Sequence, residues 1–382
     1  MQSMGVLRTA LIGLVAMITF SAVAEAQQRV PIVFIPGIGG SLLADKAMPQ
    51  KTIFGSVKQS MDQFAKLELP VDRSKNRFVA TDILREAERA RGDSVDQYNL
   101  LMARFAALGY REGVDLFPFA YDWRVSNFET AERLRQFLAQ RNLAGRPIDI
   151  VAHSMGGLVA TIYIQKYAAE QRVRNFVAMG TPFFGAVKAI RALAEGFAVF
   201  GVENFLVVSA GSEGTVYRVF ASMDSIYELL PTYGDCCYTR ASESAPMQEF
   251  TLATSDVAWN RFGLFLKEKS GAPANRAYLA KMRANVAELR RLVDLPFPPS
   301  VRVSAVVSEA VENTPIQFLG AKRGIGKPVW GIGKFAGDGT VAKISAMGHV
   351  NPANVIWSRQ EHGLIFEDDQ IWPRLGALLR GQ

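Results

Sequence analysis

Ser154 stands in the stretch IDIVAHSMGGLVATIYIQKY, between a run that reads as a short strand, Ile148 to Val151, and a helical apolar pattern from Leu158 to Tyr167. A serine on such a strand-to-helix corner points its hydroxyl away from the backbone, and glycines at 156 and 157 let the helix pack close under the turn. This is the G-x-S-x-G nucleophile elbow with Ala152 in place of the first glycine, alanine being the next smallest side chain. The alternative is an ordinary Ser-Met-Gly-Gly turn; the strand, turn and helix context favours a nucleophile.

A serine hydroxyl is a weak nucleophile unless a histidine takes its proton and a carboxylate fixes that histidine's tautomer. The chain holds three histidines. The side chain of His153 should point away from its neighbour Ser154, as on a strand, which makes it a packing or hydrogen-bonding residue near the site. His349, in AMGHVNP, and His362, in QEHGLIFEDDQIW, both lie downstream of the serine. His362 sits on a loop before a last amphipathic helix ending near Leu379 and is the expected base; His349 is the weaker candidate. For the acid, Asp338 in AGDGTVAKIS lies between two glycines and before His362, whereas Asp368 and Asp369 precede the final helix and suit a capping role. Asp-Gly is also a common turn pair, so chain order carries the choice. Two backbone donors are needed for a tetrahedral oxyanion: the N–H of Met155, directly after the nucleophile, and that of Ile38 in the loop PGIGGS.

The elements that must hold these residues read as an alternation of strands and helices. Val30 to Ile35 is a buried strand feeding the glycine loop, and a less regular segment follows to about residue 94. A helix is expected from Val95 to Leu108, closed by Gly109; then a strand within GVDLFPFAYDW, a helix from Glu129 to Arg141, the elbow, and a strand from Asn175 to Met179. That rhythm predicts an α/β fold built on a mostly parallel sheet. From about 187 to 295 it gives way to helical stretches without clear strands, read as an inserted helical cap, before the strand Val301 to Ser308. The run FAVFGVENFLVV, Phe197 to Val208, is interrupted by Glu203 and is no transmembrane span; it suits either an apolar cap over a lipid or a helix internal to that cap.

Composition narrows the function classes. The chain of 382 residues is 49% hydrophobic and can bury a large core in one domain. Residues 1–26 read as a cleavable signal peptide, with Arg8, an apolar run from Ala10 to Val23 and an Ala24-Glu25-Ala26 site, leaving 27–382 exported to a periplasm or the medium. The only cysteines, Cys236 and Cys237, are adjacent, so they read as free thiols or one labile bond, with no zinc spacing. The net charge of +7 suits anionic lipid head groups or an ordinary solvated surface, and nothing suggests nucleic acid. GIGKPVWGIGK lacks the spacing of a phosphate loop, so no nucleotide, other cofactor or metal is expected.

Several stretches together resemble one family, the lecithin:cholesterol acyltransferase-like lipases and phospholipase-acyltransferases: PIVFIPGIGGSLL (31–43), FAYDWRVS (119–126), VAHSMGGLVATIYI (151–164), FVAMGTPFFGA (176–186), SIYELLP (225–231), GDGTVAKIS (337–345) and EHGLIF (361–366). The resemblance implies an α/β-hydrolase fold with a cap or lid, acting on lipid esters at a membrane or micelle surface through an acyl-enzyme. It makes Ser154 the nucleophile, Asp338 the acid, His362 the base and the PGI turn part of the oxyanion hole. Asp122, Trp123 and Arg124 match the family's YDWR segment at the active-site border, as substrate-binding residues or as a structural Asp–Arg pairing. Two other readings stand beside this one: an esterase of small soluble substrates, and a non-catalytic lipid-binding protein on the same scaffold.

Overall fold

A strand whose residues are apolar on both faces needs cover on both sides, and the computed structural model gives Ile32–Ile35 that cover. The structure describes residues 29–55, 63–88, 94–195, 213–234, 236–239, 248–249, 273–314, 318–319, 329–330 and 335–381. Six strands form the central sheet: β1 (Ile32–Ile35), β2 (Leu116–Pro118), β3 (Ile148–His153), β4 (Val173–Met179), β5 (Arg302–Ser308) and β6 (Val355–Ser358). Their spatial order is β6-β5-β4-β3-β1-β2, and every neighbouring pair is parallel. The chain therefore lays β1 and β2 toward one edge and β3 to β6 toward the other. The order reverses between β1 and β3, whose carboxyl ends lie side by side with Ile35 opposite Ala152. A crevice at such a switch point is where an open parallel sheet places its site.

The alternation of side chains across the sheet divides the core. Val33, Ile35, Ile148, Ile150 and Ala152 face one cluster, shared with α2 (Asn127–Gln140), α3 (Gly156–Lys166) and α7 (Pro273–Asp294). Ile32, Phe34, Val151, Val177 and Met179 face the other, with α1 (Asn99–Ala107) and α8 (Trp372–Leu379). α3 buries every residue from Gly156 to Ile164, which ties the elbow to the hydrophobic core. A fully buried Leu or Phe such as Leu158 or Phe176 contributes about 2 kcal/mol of apolar transfer.

Three differences from the expected elements have local causes. The segment before residue 94 holds an antiparallel sheet of Ser41–Asp45, Met48–Phe54 and Phe78–Ile83, whose third strand is distant in sequence and whose second has exposed polar residues. α1 starts at Asn99, four residues later than expected, because Ser94–Asp96 pairs with Glu86–Glu88 instead. Between 187 and 295 the described residues hold α4 (Val187–Glu195), α5 (Glu213–Ser222), α6 (Asp224–Glu228) and α7, but also Tyr238–Thr239 paired with Gln248–Glu249 and, through Tyr238, with Leu319. Two-residue strands are too short to show a period in the sequence. Residues 1–26 and the whole of Phe197–Val208 lie outside the described residues. No described helix is long and apolar enough to cross a membrane. Cys236 and Cys237 are both buried and joined to each other by a disulfide, so they are not free thiols.

Candidate active site

Ser154 follows the last residue of β3 and precedes α3, and its backbone takes φ 53°, a left-handed conformation shared among non-glycine described residues only with Asn142. Such a conformation costs about 1–3 kcal/mol for a residue with a side chain, and surrounding bonds must hold it. The Ser154 N–H donates to Met179 O at 2.8 Å, and its carbonyl accepts from Gly157 N at 2.9 Å. α3 can start so close under β1 because Gly156 has no Cβ: one built there would strike the carbonyl of Ile35. The loop after β1 comes equally near, with a Cβ on Gly37 falling 2.9 Å from the Cβ of Ser154. Ala152, where the commonest elbow has glycine, is wholly buried against the α3 side of the core.

His362 arrives from a short 3-10 turn, His362–Leu364, after β6. Its Nε2 lies 2.8 Å from Ser154 Oγ and its Nδ1 2.7 Å from Asp338 Oδ2. The His362 N–H also donates to the Asp338 carbonyl at 2.8 Å, so backbone and side chain fix the pair together. Asp338 Oδ1 accepts from the N–H groups of Thr340 (3.0 Å) and Val341 (2.7 Å). Burial opposes charge on Asp338, but the His362 imidazole and these donors outweigh it and hold the carboxyl below its ordinary range. A carboxylate bonded to Nδ1–H leaves Nε2 as the acceptor for the serine proton.

Of the other histidines, His349 is exposed, 2.8 Å from Asp294 Oδ1 and with its ring 5.1 Å from that of Phe184. His153 is buried beside the site, 2.8 Å from Tyr98 Oη and 3.0 Å from the His362 carbonyl. Burial, and then the neighbouring His362, push its pKa down to about 3, so it is neutral. Met155 is buried directly after the serine, and Ile38 lies on the loop that touches it. Among the described residues neither backbone N–H donates to any acceptor.

Asp122, Trp123 and Arg124 are 1%, 0% and 0% exposed, which leaves no surface for a substrate. Arg124 donates Nε to Asp122 Oδ1 (2.9 Å) and Nη2 to Asp122 Oδ2 (2.7 Å), Asn76 joins both, and Trp123 Nε1 donates to Ser41 O at 3.2 Å. The structural Asp–Arg pairing is the reading this geometry carries: the YDWR segment braces the loop after β1 from behind. Among the described residues no cluster of His, Cys, Asp or Glu could hold a metal ion.

Sequence reasoning passed over Gly180, in GTPFFGA. It has φ 56°, and a Cβ there would stand 3.1 Å from both Asp338 Oδ2 and His362 Nδ1. The motif was visible, but not which pair of side chains it makes room for.

The sequence profile of the lecithin:cholesterol acyltransferase family matches residues 53–296. Phospholipase A(1) LCAT3 of Arabidopsis thaliana is 27% identical over 239 residues, covering 54% of this chain and 53% of the relative. Lecithin-cholesterol acyltransferase-like 4 of the same plant is 28% identical, covering 57% and 45%. The human lysosomal phospholipase A and acyltransferase is 30% identical over 106 residues, covering 26% of each chain. The chain thus spans about half the length of the two plant relatives. In fold, a chain of the crystal structure of the Tle4-Tli4 complex superposes with a TM-score of 0.64 at 14% identity, covering 92% of this chain and 98% of that one.

Proposed function

The chain belongs to the lecithin:cholesterol acyltransferase family, and from that premise we propose that it cleaves or transfers the acyl group of a lipid ester through an acyl-enzyme on Ser154. In this mechanism Ser154 Oγ attacks the ester carbonyl as its proton passes to His362 Nε2, and Asp338 stabilises the imidazolium. The N–H groups of Met155 and Ile38 receive the oxyanion. His362 returns the proton to the departing alcohol, then activates a water or a lipid alcohol that releases the acyl group. Water gives hydrolysis and an alcohol gives transfer. No metal or cofactor is called on.

The observation that carries this reading is the unbroken line from Ser154 Oγ through His362 to Asp338, at 2.8 and 2.7 Å. A purely structural serine needs neither the left-handed backbone nor a histidine backed by a buried carboxylate. The relatives named for phospholipase A and acyltransferase activity support a lipid ester as the substrate. Export through a cleaved segment at 1–26 is part of the proposal, resting on Arg8, the apolar run and the Ala-Glu-Ala site.

The test is acyl release from phospholipid vesicles, with and without a long-chain alcohol, by wild type and Ser154→Ala. The reading expects fatty acid from wild type, a second acylated product when alcohol is present if transfer operates, and neither from the variant. Turnover of short p-nitrophenyl esters alone, unaffected by vesicles or micelles, would replace the lipid substrate with a small ester. Equal activity in both proteins would end the mechanism.

A further inference from the structure

Tyr98 and His153 are buried, uncharged, and have no part in the acyl chemistry described above, yet together they join both halves of the site. Their hydrogen-bond roles are forced. The His362 carbonyl can only accept, so His153 Nε2 carries the proton and donates to it at 3.0 Å. That leaves His153 Nδ1 as an acceptor, so Tyr98 Oη–H donates to it at 2.8 Å. The Tyr98 oxygen still has a lone pair, which receives the N–H of Gly37 at 3.0 Å. One chain of bonds therefore runs from Gly37, the residue before Ile38, to the backbone of His362.

We propose that Tyr98 and His153 are positioning residues that fix the loop Pro36–Gly40 against the backbone of the base histidine, so that the Ile38 donor and His362 keep their separation through the reaction. This rests on the proposed function of the site.

The surroundings leave the tie little freedom. The Tyr98 ring meets Phe34 edge-on at 5.0 Å and Phe366 at 5.6 Å, and His153 meets Phe366 edge-on at 5.5 Å. The loop rests directly on the tyrosine ring, since a Cβ on Gly40 would fall 2.9 Å from Tyr98 Cε2. Burial keeps His153 neutral while His362 gains and loses its proton, so the tie does not alternate with the catalytic cycle. A donor misplaced on such a loop weakens transition-state stabilisation more than ground-state binding. A packing role alone would change stability without that asymmetry.

The experiment compares wild type and Tyr98→Phe on a p-nitrophenyl ester, with active sites counted by fluorophosphonate and folding checked by thermal unfolding. Phenylalanine keeps the ring and removes only the oxygen, leaving both Gly37 N–H and His153 Nδ1 without their partner. The expected result is a kcat about tenfold lower per active site, with KM within twofold. A kcat within twofold of wild type, whatever happens to Tm, overturns the inference. Should Tyr98→Phe not fold, His153→Gln carries the same test, because it keeps an amide donor but not the imidazole acceptor at Nδ1. The two readings fail separately: an unlabelled wild type, or a Ser154→Ala protein that retains activity, brings down the proposed function and this inference with it. A labelled, Ser154-dependent wild type beside an unimpaired Tyr98→Phe brings down the inference alone.

Discussion

Glu228→Gln should flatten the dependence of stability on pH. Glu228 ends α6 and is 2% exposed, with its Oε1 accepting from Ser126 Oγ (2.6 Å) and Asn285 Nδ2 (2.8 Å) and its Oε2 from the Asn127 N–H (2.6 Å). It thus links α6 and α7 to the first turn of α2. Burial, reinforced by Asp224, pushes its pKa up from 4.5 to about 7 against the pull of those three donors. The folded chain therefore holds this proton more tightly than the unfolded one. The associated stability is present in full below pH 4.5 and is lost as pH rises through about 7. The gap between 4.5 and about 7 corresponds to about 3 kcal/mol. Urea unfolding of wild type and Glu228→Gln, followed from pH 4.5 to 8, isolates the effect as a difference curve from which other titrating groups cancel. Wild type should lose up to about 3 kcal/mol relative to the variant across that window. Parallel curves would refute the reasoning, because they would mean that Glu228 titrates alike in the folded and unfolded chains.

Asp338→Asn should lower kcat by about 10⁴, since an amide cannot hold the imidazole in the tautomer that accepts the serine proton; a loss under tenfold in steady-state ester hydrolysis would speak against its role. His349→Ala should leave kcat within twofold and cost under about 1 kcal/mol in urea, because its pairing with Asp294 is exposed. Asp122→Asn leaves Arg124 buried beside an uncharged partner and should destabilise the fold by about 3–5 kcal/mol. An unchanged urea midpoint would show that the pair is not the brace its geometry describes.

The sequence made the sheet and the elbow legible because both write a period into it. The strands Val30–Ile35, Ile148–Val151, Asn175–Met179 and Val301–Ser308 are apolar runs between helices with an amphipathic stripe, and the structure places all four side by side. Ser154, Asp338 and His362 could be chosen by chain order and glycine context, and the structure sets His362 between the other two, 2.8 Å from Ser154 Oγ and 2.7 Å from Asp338 Oδ2. Features that depend on meeting across long separations stayed hidden. Tyr98 reaches His153 across 55 residues, and Glu228 reaches Ser126 across 102. Asp122 and Arg124 were visible as a pair, but only their full burial shows what they are spent on.

The most direct test of the central claim is fluorophosphonate labelling of the purified protein, with the adduct mapped by mass spectrometry, in wild type and in Ser154→Ala, His362→Ala and His349→Ala. An activated Ser154 predicts one adduct on the peptide containing Ser154, lost in Ser154→Ala and His362→Ala and kept in His349→Ala. Labelling of Ser154→Ala at the wild-type rate, or a folded wild type that stays unlabelled even with detergent micelles, would contradict it.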